Sequence, residues 1–275
     1  MDPLRGRQVR RPLRAELSAG LIPAHEVVGA EAGERVVLVP GTLSDRGTWL
    51  KLLGALTPRF RCLLFDPRGT GRTADPGVSF RPQDLVTDLL AVMDSAGWAD
   101  AHLVGHSLGA AVALLLAAAA PRRAKSVAAI SPAEHSDAHL RAVFDHWEAL
   151  AGSNLSDGQL HLGLVLPAFG RAAFARLVPG VVRQLSARPM GRESIRRYVE
   201  CDRHQDLRPV LGSVKARTLV IAGEEDALTG PAHALAVAAG IEGARCEILP
   251  GSGHTPQVEQ APALARLLVP WLAGG

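Results

Sequence analysis

Ser107 stands in the pentapeptide Gly105-His106-Ser107-Leu108-Gly109, a serine with a glycine two residues to either side. A serine hydroxyl is a weak nucleophile until a base takes its proton, so a histidine must be brought to it from elsewhere in the chain. The chain has ten. His254 lies in the glycine-rich run Gly251-Ser252-Gly253-His254-Thr255-Pro256. Asp226, in Gly223-Glu224-Glu225-Asp226, is placed to fix the tautomer of that imidazole and to stabilise its protonated form. Glu224 and Glu225 are close rivals for the role, and Glu134 is an outside alternative.

These residues need elements that hold them together. Short apolar or β-branched runs at 35–39, 61–65, 101–104, 126–130, 217–222 and 245–249 predict strands. Helical patterns at 48–56, 82–96, 108–120, 231–239 and 261–272 fall between most of them. Alternating strands and helices imply a largely parallel sheet covered on both faces. Two more segments, 13–17 and 25–28, are separated by Ser18-Ala19-Gly20 and predict an antiparallel hairpin on the sheet edge.

In that frame Ser107 follows strand 101–104 and opens helix 108–120, Asp226 follows strand 217–222, and His254 follows the last strand. All three fall at the C-terminal ends of strands, where α/β sheets place their sites. A sharp strand-to-helix turn leaves no room for Cβ atoms beside the serine, which Gly105 and Gly109 respect. A helix N-terminus also favours negative charge. His106 points elsewhere on the turn, and His102 is at the wrong end of its strand. His135, His139, His146, His161 and His204 lie in a different region. His135 and His139, four apart, share a helix face but lack a third ligand, so no metal is expected.

The alternation breaks at 133–212, a helical stretch interrupted by Gly152, Gly158, Pro167, Gly170, Pro179 and Pro189. It reads as a lid inserted into a core made of 1–132 and 213–275. Its Phe144, Trp147, Phe169 and Phe174 either line an apolar substrate pocket or pack the insertion's own core. Arg171, Arg176, Arg183, Arg188, Arg192, Arg196 and Arg197 face only Glu193 between them. That run fits a solvated helix face, or includes an arginine that binds a substrate carboxylate.

Composition excludes other classes. A net charge of +3 spread over 275 residues is no nucleic-acid footprint, and the basic cluster Arg5, Arg7, Arg10, Arg11 and Arg14 is followed by no signal-peptide core. Cys62, Cys201 and Cys246 lack the spacing of a disulfide frame or zinc site, which fits a reducing, cytoplasmic setting. The apolar run 110–120 is about half of the ~20 residues that cross a membrane. Gly69-Thr70-Gly71-Arg72 lacks the lysine and spacing of a phosphate loop, so no cofactor is expected. The expected partner is a small-molecule substrate.

With these motifs the sequence resembles the α/β-hydrolase superfamily, in its lid-bearing esterase, lactonase and C–C hydrolase branch, over nearly the whole chain. The order serine, acid, histidine matches. Val39-Pro40-Gly41-Thr42 is similar to the family's His-Gly oxyanion loop, with Pro40 in place of the usual histidine, and Asp66-Pro67-Arg68-Gly69-Thr70-Gly71-Arg72-Thr73 is similar to its Asp-x-Arg-Gly-x-Gly-x-Ser turn. The resemblance implies a mostly parallel eight-stranded sheet flanked by helices, with a helical lid. It also implies an oxyanion hole formed by the backbone N–H groups of Thr42 and Leu108. The activity implied is a serine hydrolase acting on an ester, lactone or thioester of a small to medium apolar substrate through an acyl-enzyme. A C–C bond hydrolase, a non-hydrolytic biosynthetic enzyme with the same triad, and a non-catalytic binding member of the fold are the alternatives. Ser107 argues against relatives that need an aspartate nucleophile at this turn.

Overall fold

The computed structural model describes residues 21–187 and 189–274. Strands form where the sequence is most apolar and β-branched: β1 (His25–Gly29), β2 (Glu34–Val39), β3 (Phe60–Phe65), β4 (Ala101–His106), β5 (Ala124–Ile130), β6 (Arg217–Gly223) and β7 (Arg245–Leu249). They join in one sheet in the order β1-β3-β2-β4-β5-β6-β7. β1 pairs antiparallel with β3, and the other pairings are parallel. The described residues thus give seven strands where eight were expected, and the missing member, 13–17, lies outside the described residues. Its expected partner is present as the antiparallel edge strand β1.

Alternate residues of the central strands enter opposite cores, as the two-residue period requires. Val37, Val39, Leu103, Val127 and Val220 pack with α2 (Pro82–Ser95), α3 (Leu108–Ala119) and α8 (Gly230–Ala239). Val36, Leu38, Val104, Ala128 and Ile221 pack with α1 (Leu50–Leu56) and α10 (Ala261–Leu272). α3 is buried along its length from Leu108 to Ala117, which explains why its sequence is apolar on every face. No helix among the described residues is long and apolar enough to cross a membrane.

Between β5 and β6 the chain forms α4 (Ala138–Gly152), α5 (Asp157–Val165), α6 (Arg171–Ala187) and α7 (Arg192–Arg203). Asp137 caps α4 through the Leu140 amide at 2.9 Å, and Ser156 with Gln159 forms a capping box on α5. These helices have a small core of their own, including Phe144, Trp147, Leu160, Ile195 and Val199. One tie to the sheet runs through Tyr198 of α7, whose hydroxyl donates to the Arg68 carbonyl at 2.8 Å. Arg68 in turn makes two 2.7 Å bonds to Asp88 of α2.

The turn from β4 to α3 brings backbone against backbone. A Cβ on Gly105 would sit 2.3 Å from the Gly109 carbonyl oxygen, and one on Gly109 would sit 2.3 Å from the Val39 oxygen and 2.4 Å from the Pro40 oxygen. Backbone atoms cannot yield as a side-chain tip can. Gly109→Ala is therefore expected to lower the thermal midpoint sharply, by about 2 kcal/mol of stability or more. Gly54→Ala in α1, where an added Cβ meets nothing within 4 Å, is the control and should leave the midpoint equal or higher. Equal midpoints for the two variants in a calorimetric scan would contradict the close-approach account.

Candidate active site

Ser107 occupies the turn itself, with φ 55° and ψ −123°, a conformation that L-residues rarely adopt. It is pinned from both sides. Its amide donates to the Ile130 carbonyl at the end of β5 at 2.8 Å, while its own carbonyl accepts from Ala110 and Ala111 in the first turn of α3. The residue faces a large cavity of about 1800 Å³ that His254, Thr42 and Asp202 also line.

His254 is buried and held at three points. Its Nδ1 lies 2.9 Å from Asp226 Oδ2, its amide donates to the Ala168 carbonyl at 3.0 Å, and its carbonyl accepts from His106 Nε2 at 2.8 Å. The bond to a carboxylate puts the ring proton on Nδ1 and leaves the Nε2 lone pair as the basic site. Asp226 is shaped for this partner. Its Oδ1 accepts from the amides of Leu228 at 2.9 Å and Thr229 at 3.0 Å, and its Oδ2 also accepts from the Thr229 hydroxyl at 2.8 Å. Burial works to raise its pKa, but the charge and hydrogen bond of His254, together with Thr229 and the Leu228 amide, outweigh burial and hold it well below the usual carboxylate range.

The rival acids are engaged elsewhere. Glu224 accepts from the Gly251 amide at 3.0 Å, Glu225 from the Arg171 amide at 2.6 Å, and Glu134 sits 3.3 Å from His135. Of the two expected oxyanion donors, Leu108 is the first residue of α3, where an amide has no acceptor within the helix. Thr42 lies beside the same turn: a Cβ on neighbouring Gly41 would come 3.0 Å from Ser107 Cβ. Phe144, Trp147 and Phe169 line the cavity, with Phe144 and Trp147 doing so while also packing the insertion's core. Phe174 does not. The cavity face of α6 is Arg176, Leu177, Gly180, Val181, Gln184 and Leu185, and Phe174 lies at its first turn, off that wall. Arg176 is the one member of the expected arginine run on the wall, and Arg188 is outside the described residues. Arg192 instead caps backbone carbonyls from Leu150 to Leu155, and Arg197 pairs with Asp75.

Several contributors carry no sequence motif. Glu259, in the short helix Pro256–Glu259, accepts from the amides of Gly170 at 2.9 Å and of Gly253 and Thr255 at 3.0 Å each, tying the His254 loop to the helical insertion. Thr229 orders Asp226. The acid in Ile195, Tyr198, Val199 and Asp202 was a visible signal, a carboxylate at a position whose spacing belongs to the buried stripe of α7. Away from the cavity, Glu134, His135 and His233 bring their ligand atoms within 4.8 Å of one another, so a third potential ligand joins His135 from α8, while His139 is bonded to the Ala227 carbonyl.

The family model described as the alpha/beta hydrolase fold matches residues 34–261. The chain belongs to the α/β-hydrolase fold family. A protein of Variovorax paradoxus named as a candidate carbamate hydrolase, RutD, is 31% identical over 92% of this chain and 97% of its own. Among solved structures, an enol-lactonase from Burkholderia xenovorans superposes with a TM-score of 0.83 at 25% identity, over 91% of this chain and 96% of its own. A hydrolase from Pseudomonas aeruginosa does so with a TM-score of 0.82 at 29% identity, over 90% and 93%. In this α/β-hydrolase Ser107 follows β4, Asp226 follows β6 and His254 follows β7.

His106 gives the site a pH signature. Burial first, and the nearby charge of His254 second, push its pKa down from 6.5 to about 3, and its Nε2–H bond to the His254 carbonyl opposes them only in part. The unfolded chain therefore binds a proton at this residue that the folded chain refuses, so stability falls as pH drops below about 6.5, by up to ~1.4 kcal/mol per pH unit. His106→Gln keeps a donor to the His254 carbonyl but does not titrate. In urea unfolding at pH 7 and pH 5, the variant should lose less stability between the two than the parent. An equal loss would show that His106 titrates normally in the fold.

Proposed function

We propose that the chain is a serine hydrolase that cleaves an ester, lactone or thioester of a small to medium, mostly apolar substrate through an acyl-enzyme. The observation that carries this reading is the 2.9 Å His254–Asp226 bond, buried beside the cavity onto which the β4–α3 turn projects Ser107. His254 Nε2 takes the Ser107 proton as Oγ attacks the acyl carbon, and Asp226 balances the imidazolium that results. The oxyanion is received by the amides of Leu108 and Thr42, fixed donors that need no reorganisation as charge develops. His254 then hands its proton to the leaving group, and water repeats the sequence to release the acid. α4 to α7 act as a lid whose underside, with Phe144, Trp147 and Phe169, receives the apolar part of the substrate.

The names of the relatives support acyl chemistry, since a carbamate and an enol-lactone both present a carbonyl carbon to a nucleophile. Two substitutions test the reading with a p-nitrophenyl ester as substrate. Ser107→Ala should abolish turnover with the fold intact, because it removes one oxygen from a turn built of backbone contacts. Asp226→Asn should lower kcat by roughly 10⁴, since an amide both loses the charge and favours the wrong tautomer. Glu225→Gln and Glu134→Gln should stay within a few-fold of the parent. A Glu225→Gln or Glu134→Gln loss as deep as that of Asp226→Asn would move the acid.

A further inference from the structure

Among the described residues the buried carboxylates are matched with donors or cations, with one exception. Asp88 holds Arg68 through two 2.7 Å bonds, Asp226 holds His254 and Thr229 with two amides, and Asp66 takes the amides of Arg46 and Arg72 with the Arg46 guanidinium at 3.4 Å. Glu259 collects three amides and a hydroxyl. Asp202 of α7, 5% exposed, is donated to by a single group, the Thr42 hydroxyl, which lies 2.8 Å from Oδ2 and 3.0 Å from Oδ1. Among the described residues it forms no ion pair, and the charge nearest to matter to it is that of His254.

A carboxylate offers about four acceptor positions, and one hydroxyl shared between both oxygens leaves most of them empty. Burying it in that state is costly unless something else completes it. Asp202 lines the same cavity as Ser107 and His254, so the missing donor has a route in. The neighbouring polar side chains are engaged elsewhere: Ser136 uses its hydroxyl on the Asp202 carbonyl, and Gln205 spends its amide nitrogen on the Ala133 carbonyl. Among the described residues no arginine or lysine pairs with its carboxylate.

We propose that Asp202 is a substrate-binding residue that takes an ammonium group, so that the substrates turned over best carry a primary amine at the end of an apolar chain. A protonated amine brings three N–H donors and the opposite charge. Burial pushes the Asp202 carboxyl up to about 7 against the Thr42 bond and His254, so near neutral pH a large share of it is the neutral acid and a bound cation shifts it to the ionised form. Ligand binding then costs a proton transfer to solvent but leaves no buried charge unpaired. The inference rests on the serine-hydrolase reading for its kinetic consequence, and on geometry alone for its binding consequence.

Two measurements separate these. By titration calorimetry, n-hexylamine should bind the full-length protein tighter than 1-hexanol, its uncharged isostere, by on the order of tenfold or more. Asp202→Asn, close in shape and still able to accept from Thr42, should erase the preference. An amine that binds no tighter than the alcohol, or a preference that survives in the variant, overturns the proposal. The parent comparison decides even if the variant does not fold. In turnover, the ratio of kcat/KM for p-nitrophenyl 6-aminohexanoate to that for p-nitrophenyl heptanoate should exceed one in the parent and fall about tenfold in Asp202→Asn. A purely structural role for Asp202 would lower both esters together and leave the ratio where it was, which overturns the proposal. If neither ester is hydrolysed while the calorimetric preference holds, the hydrolase reading fails and the amine site stands.

Discussion

The backbone of Ser107 is held at φ 55° and ψ −123°, and much of the molecule can be understood as what is needed to keep it there. A non-glycine residue in such a region costs of order 1–3 kcal/mol and persists only where its surroundings over-determine it. Here the surroundings are backbone. β5 receives the serine amide, α3 receives its carbonyl, and Gly105 and Gly109 let β4, α3 and the β2 loop touch main chain to main chain. The all-apolar α3 and the residues of β2, β4 and β5 that pack on it keep those contacts dry. The result is a serine side chain set at the start of a helix, at the edge of the cavity.

The same device recurs at the histidine. A Cβ on Gly223 would lie 2.1 Å from the Gly253 oxygen, and one on Gly253 would lie 2.2 Å from the Gly170 nitrogen, so the acid strand, the histidine loop and the helical insertion meet through backbone. Glu259 fixes that junction by accepting from both Gly253 and Gly170, and Ala168 takes the His254 amide. The helices between β5 and β6 are thus tied to the His254 loop as well as to the cavity wall. A change in where α5 and α6 sit would be felt at His254.

What could be read from sequence follows from what is local. Ser107 announces itself because the steric demand of the turn is met by residues two away, and His254 and Asp226 because loops after strands of a parallel sheet converge at one edge. Glu259, Thr229 and Asp202 escaped because their partners are brought by the fold: Asp202 meets Thr42 across 160 residues of chain. His106 was read as pointing away from the serine, and its ring goes to the His254 carbonyl instead, a role with no spacing rule. The sequence leaves Phe174, with Phe144, Trp147 and Phe169, as either pocket-lining or core-packing, and its place in the first turn of α6 puts it off the cavity wall. Of the arginine run, Arg176 reaches the cavity, and several others serve as caps or ion pairs.

A cavity of about 1800 Å³ is larger than the few hundred to ~1000 Å³ of most small-ligand sites, and its walls mix apolar surface with polar and charged side chains. Its chemistry is concentrated at Ser107 and His254, with Asp202 and Thr42 close by, and the account stands on Ser107 being the residue that bonds to substrate. The most direct test is intact-mass spectrometry of the protein quenched in acid during turnover of a slowly hydrolysed p-nitrophenyl ester, with the adduct mapped by peptide fragmentation. A single added acyl mass on Ser107, absent from Ser107→Ala, is the predicted result. Ester turnover with no adduct on Ser107, or an adduct on another residue that persists in Ser107→Ala, would contradict it.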